Sequence, residues 1–80
     1  MSVNLCVDWG NSSIKAAIFD NDTLQKQYSF SSEQALEKVS YMLETYKPVK
    51  AILCSVVRHD DEVEQLIKSK IKTLVVLDGY

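Results

Sequence analysis

The hydrophobic period of this chain changes at Ser31, from that of strands to that of a helix, and that change limits the folds open to it. Before Ser31, Val3, Leu5 and Val7 alternate with Asn4, Cys6 and Asp8, and the alternation returns from Ile14 to Asp20. Successive side chains of a strand point to opposite faces, so the pattern reads as strands with two distinct faces. Asp8 ends the first strand. Asn21-Asp22 suits a two-residue hairpin turn because both residue types tolerate positive φ. Leu24 to Phe30 makes a third strand, and three strands joined by short turns imply an antiparallel meander.

After Ser31, Leu36, Val39, Leu43 and Tyr46 recur at helical spacing; Ser31 and Gln34 stand as a capping box, and Pro48 ends the helix. The run from Ala51 to Val57 is nearly continuous in small and apolar residues, as expected of a parallel strand covered on both faces. Asp60, Asp61 and Glu62 open a second helix at its positive end, Val63, Leu66, Ile67 and Ile71 form its stripe, and Lys68, Lys70 and Lys72 close it. Leu74 to Leu77 is a last, fully apolar strand. The expected order is β-β-β-α-β-α-β, an α/β fold in which an antiparallel set is followed by parallel crossover units in one mixed sheet. Residues 1–80 read as one domain or half-domain that is cut short, because helices are expected on one face only and such a sheet usually continues into a helix on the other.

Eighty residues with 46% hydrophobic content can build one small core. A chain this short buries only roughly 60–65% of its unfolded surface and is marginal alone. Nine basic against eleven acidic residues leave no electrostatic footprint for nucleic acid. The apolar runs are strand-length and no signal segment opens the chain, so no membrane attachment is expected and the reading is cytoplasmic. Cys6 and Cys54 fall within strand patterns and read as buried, reduced thiols. With a single His59 they cannot complete a four-ligand zinc set.

Between the first two strands, Asp8, Gly10, Asn11, Ser12 and Lys15 concentrate a carboxylate, a glycine turn, amide and hydroxyl donors and a cation at a hairpin tip. Folding the hairpin brings Asp8 and Lys15 to cross-strand distance, about 5–8 Å. With a nucleotide there, the carboxylate can hold Mg²⁺ directly or through its waters, and the lysine can neutralise phosphate charge. Gly10 lets the backbone approach a phosphate, and the amides of Gly10 to Ser13 can form an anion-binding concavity. On residue types alone, the same group also reads as an ordinary hairpin turn with a surface ion pair.

The pattern Asp8-x-Gly10-Asn11-Ser12-x-x-Lys15 resembles the first phosphate motif of type III pantothenate kinases, members of the acetate/sugar kinase, heat-shock 70 and actin superfamily (ASKHA). Cys54-Ser55-Val56-Val57 is similar to the stretch ending that family's fourth strand. The resemblance implies an RNase H-like half of a two-domain architecture, from a cytoplasmic enzyme that uses ATP and Mg²⁺, with K⁺ or NH₄⁺ as monovalent cation, to phosphorylate pantothenate on the way to coenzyme A. It also implies a homodimer at full length. By that analogy Asp8 serves the metal and phosphate site, Gly10, Asn11 and Ser12 the phosphate turn, and Lys15 charge neutralisation, while Ser55 can face the same cleft. Ser12 stands where threonine is commoner, and Arg58-His59 follows Val57 where proline is frequent. The family's G-x-D-R segment, with its catalytic aspartate, has no match, so no catalytic residue is expected within this chain and the piece alone is expected to be inactive. The competing reading is a non-catalytic, actin-like or regulatory module that binds nucleotide or protein.

Remaining residues carry lesser expectations. His59 reads as a surface or capping residue, and Tyr28, Tyr41 and Tyr46 as rings that pack while exposing hydroxyls. Trp9, beside the tip, reads as either a lid over the neighbouring strand or an interface anchor.

Overall fold

The structure, a computed structural model, describes residues 2–55 and 61–78. Five strands and two helices follow in the expected order: β1 (Val3–Trp9), β2 (Ile14–Asp20), β3 (Thr23–Phe30), α1 (Ala35–Tyr46), β4 (Lys50–Ser55), α2 (Asp61–Lys70) and β5 (Thr73–Asp78). They form one mixed sheet of order β3-β2-β1-β4-β5. β1 runs antiparallel to β2 and parallel to β4, and β5 is parallel to β4. Among the described residues, no helix is long and apolar enough to cross a membrane.

The core lies between one face of the sheet and the two helices. Leu5, Val7 and Trp9 of β1, Ile14, Ala16 and Ile18 of β2, and Ala51 and Leu53 of β4 meet Ala35, Val39, Met42 and Leu43 of α1 and Val63 and Ile67 of α2. Each fully buried aliphatic side chain contributes about 1.5–3 kcal/mol. The α2 stripe is the expected one, with Ile71 buried just past the helix and Leu66 packed at its margin. On α1 the stripe is turned slightly: Leu36 faces solvent, while Ala35 and Met42 are buried in its place. A 3₁₀ turn at Ser32–Gln34 precedes the helix, and the expected box closes there, Gln34 Oε1 accepting from the Ser31 N–H at 3.3 Å. At the other end Lys47, left-handed at φ 47°, terminates the helix before Pro48.

Two expectations are corrected. β4 and β5 are covered on one face only: Ile52 is 41% exposed, Val75 45% and Leu77 54%. Their uniform apolarity therefore does not report two-sided burial within this chain. Cys6 and Cys54 accordingly lie on the uncovered face as half-buried, free thiols rather than in the core.

The Asn21-Asp22 turn forms as expected, with Asn21 at φ 57°, and it is tied to the start of β1 through the Asn21 N–H donating to Ser2 O at 2.7 Å. Beyond it β3 carries a bulge. Asp20 pairs with Thr23 and Phe19 with Leu24, but Ile18 pairs with Lys26, leaving Gln25 as the extra residue. The slip turns Tyr28 and Phe30 toward the helices. There the Tyr28 and Tyr46 hydroxyls share a hydrogen bond of 2.6 Å, and the Tyr28 ring meets Tyr41 and Tyr46 edge-on at 6.4 and 6.5 Å.

Two measurements test this packing. Leu53→Ala should cost about 2–5 kcal/mol in urea unfolding, whereas Leu36→Ala should cost under about 1 kcal/mol. The hydrogen bond to Tyr46, with some desolvation, pushes the Tyr28 hydroxyl up to about 12 from an ordinary 10.0. Between those values the unfolded chain has released a proton that the folded chain keeps. This contribution to stability is complete below pH 10 and disappears as pH rises toward 12. Absorbance titration near 295 nm should show one late-ionising tyrosine, moved toward the ordinary value by Tyr46→Phe.

Candidate phosphate-binding site

The period of β1 decides what reaches the hairpin tip. Leu5, Val7 and Trp9 turn toward the helices, so Asn4, Cys6 and Asp8 turn toward the open face. Asp8 stands in the penultimate position of β1 and Lys15 in the second of β2, paired directly across the ladder. Both are exposed. The register extends the row across four strands, Cys54, Asp8, Lys15 and Ser29 lying side by side on one face.

Gly10 to Ser13 form the tip beyond the last strand pair, Trp9 and Ile14. The Gly10 N–H donates to Ser13 O at 3.1 Å, so this amide is turned into the loop rather than outward. Its φ is not positive. What the position requires is space, since a Cβ there would stand 3.0 Å from the Ser13 carbonyl oxygen. Asn11 and Ser12 are exposed at the apex, where their side chains can meet a ligand.

A hollow of about 520 Å³ opens beside this row, lined by Cys6, Asp8, Lys15, Ala17, Gln27 and Ser29 among others. Its small floor residues, Cys6 and Ala17, leave depth between the charged pair and β3. Burial pushes the Cys6 thiol above its usual value, and repulsion from Cys54 and then Asp8 adds to the effect. The thiol therefore stays protonated around neutrality.

Gln27 and Ser29 were not legible as site residues in the sequence. Counting back from the Asn21-Asp22 turn without a bulge sets Tyr28 opposite Lys15, and only the extra residue brings Ser29 there. Ser55 lies at the same end of β4, paired with Trp9, but is 2% exposed and belongs to the covered face, away from Asp8 and Lys15. Trp9 is 4% exposed in the core, neither a lid nor an interface anchor. Arg58 and His59 lie outside the described residues.

The donor set suits Mg²⁺ better than a metal held wholly by protein. Among the described residues there is no group of three or more His, Cys, Asp or Glu able to hold an ion. One exposed carboxylate at a hairpin tip matches a cation that keeps several waters and binds through one or two carboxylates plus substrate phosphates.

Comparison of the fold places the sheet in a known class. A solved Bacteroides thetaiotaomicron protein, described as having an actin-like ATPase fold and unknown function, superposes with a TM-score of 0.69 at 14% identity, over 95% of this chain and 32% of the other. The chain thus has the fold of an actin-like half-domain. A family model described as type III pantothenate kinase matches residues 4–78, and the chain belongs to that family. Type III pantothenate kinases from two strains of Porphyromonas gingivalis are 36% identical over 69 residues, which are 86% of this chain and 28% of the relatives' length. The chain therefore spans under a third of the curated relatives it matches.

The tip geometry can be probed directly. Gly10→Ala should destabilise the chain by about 1 kcal/mol through its contact with a backbone oxygen. The amide resonances of Asn11 to Ser13 should move, while those of α1 stay in place.

Proposed function

We propose that this chain forms the phosphate side of the ATP site of a pantothenate kinase, as the amino-terminal RNase H-like part of such an enzyme. The observation that carries this reading is the directly paired Asp8 and Lys15 at the mouth of a hollow, in a chain that belongs to the type III pantothenate kinase family. Phosphoryl transfer asks a protein mainly for positioning and charge stabilisation, and this pair supplies both signs of charge at one strand end. Asp8 would hold Mg²⁺ brought with the nucleotide, and the ion would offset phosphate charge.

The chain's own residues divide the work. Asp8 would hold the metal at the strand end. Lys15, carried on the neighbouring strand, offsets phosphate charge from the other side of the mouth. Asn11 and Ser12 offer side-chain donors at the apex, and Gly10 keeps the tip narrow. The contacts to pantothenate, the group that accepts its hydroxyl proton, the adenosine contacts and any dimer interface are assigned to the part of the enzyme outside the match.

The test joins this chain to the part of the Porphyromonas gingivalis enzyme that follows the matched stretch. ATP-dependent phosphorylation of pantothenate by the fusion should fall at least roughly 10²-fold in Asp8→Asn and in Lys15→Ala. Unchanged turnover in Asp8→Asn would remove the role assigned to that carboxylate. The isolated 80-residue chain, titrated with Mg-ATP and followed by amide resonances, should respond weakly and only around Asp8 to Lys15.

A further inference from the structure

A ligand at the Asp8–Lys15 mouth can extend over the open face in two directions. Toward β4 and β5 the face is apolar, with a groove of about 440 Å³ lined by Phe19, Ile52 and Val75 among others. Toward β3 it is polar. The hollow of about 520 Å³ at the mouth takes its described lining residues from β1, β2 and β3 alone. Ser29 and Gln27 form its β3 wall, both exposed, Ser29 directly opposite Lys15 and Gln27 opposite Ala17.

Charge selects the second direction. Adjacent strands lie about 4.8 Å apart, so Asp8 and Ser29 flank Lys15 at one strand spacing each, on opposite sides. Phosphate oxygens drawn to the Lys15 ammonium are repelled by the Asp8 carboxylate and settle on the far side of the lysine. That side presents the Ser29 hydroxyl, a donor able to bond an anionic oxygen. A serine side chain is short, so a ligand must come close to the sheet to reach it. Ala17, two residues along β2 from Lys15 on the same face, leaves that room. The β3 bulge completes the arrangement: without its extra residue the Tyr28 ring would stand opposite Lys15, over the hollow. Bulges recur next to active sites, where they re-aim a side chain.

We propose that Ser29 is a further phosphate-binding residue, its hydroxyl donating to an oxygen of the nucleotide's phosphate chain that Lys15 also contacts. Ser29 has this role only if the Asp8–Lys15 mouth is the phosphate side of an ATP site, and it extends that site onto a third strand.

The test uses the same fusion to the Porphyromonas gingivalis remainder. Ser29→Ala should raise KM for ATP at least about fivefold, as loss of a hydrogen bond to a charged group does, and leave KM for pantothenate unchanged. Ser29→Thr, which keeps the hydroxyl on a strand-forming residue, should bring KM for ATP back to within about twofold of the parent value. Ala17→Leu, which fills the hollow, should raise KM for ATP as Ser29→Ala does. Inhibition by adenosine, which carries no phosphate, should be the same in all three variants. An unchanged KM for ATP in Ser29→Ala, with turnover still lost in Asp8→Asn, would overturn the role of Ser29 and leave the phosphate reading of the mouth standing. Full turnover in Asp8→Asn would remove both. A loss in Ser29→Thr as large as in Ser29→Ala, or an equal weakening of adenosine, would mark a purely structural residue and overturn the proposal as well.

Discussion

Everything in this structure is referred to β1, the strand hydrogen-bonded along both edges, antiparallel to β2 on one side and parallel to β4 on the other. Its seven residues alternate between two environments. Leu5, Val7 and Trp9 anchor the sheet to α1 and α2, and the same geometry forces Asn4, Cys6 and Asp8 to the opposite face. Asp8 is thus exposed because Val7 and Trp9 are buried. A one-residue slip of β1 against either partner would send Asp8 into the helices and an apolar set into water, which makes the register self-enforcing.

The two ladders of β1 give the molecule its asymmetry. The antiparallel side, a meander of β2 and β3, ends at an edge of mostly polar, exposed residues, as suits a strand next to water. The parallel side is apolar on both faces, although only one is covered. The hollow beside Asp8 and Lys15 and the bare apolar groove therefore lie on the same face of one sheet but on different halves of it.

Membership of the type III pantothenate kinase family agrees with the order of elements and with the strand–tip–strand motif, both legible before any coordinates. The legible features were local ones. Alternation at Val3 to Asp8, helical spacing at Val39 and Leu43, and a left-handed Asn21 are each set by residues a few positions apart. Burial of β4 was misread for a physical reason: a continuous apolar run reports what the strand can tolerate on each side, not whether anything lies there. Trp9 was misread because position beside a turn says little about which face a side chain takes, and the alternation of its own strand places it in the core.

By itself, the sequence determined the element types, their order, and the Asp8 to Lys15 cluster at a strand tip, because periodicity and turn chemistry act over short stretches of chain. Only the tertiary structure decided which side chains share a face across strands. The bulge at Gln25 is the clearest case: one unpaired residue in β3 moves Ser29 beside Lys15 and swings Tyr28 under the sheet to bond with Tyr46, 18 residues further along the chain. Register is a relation between two strands, and a period read along one strand cannot contain it.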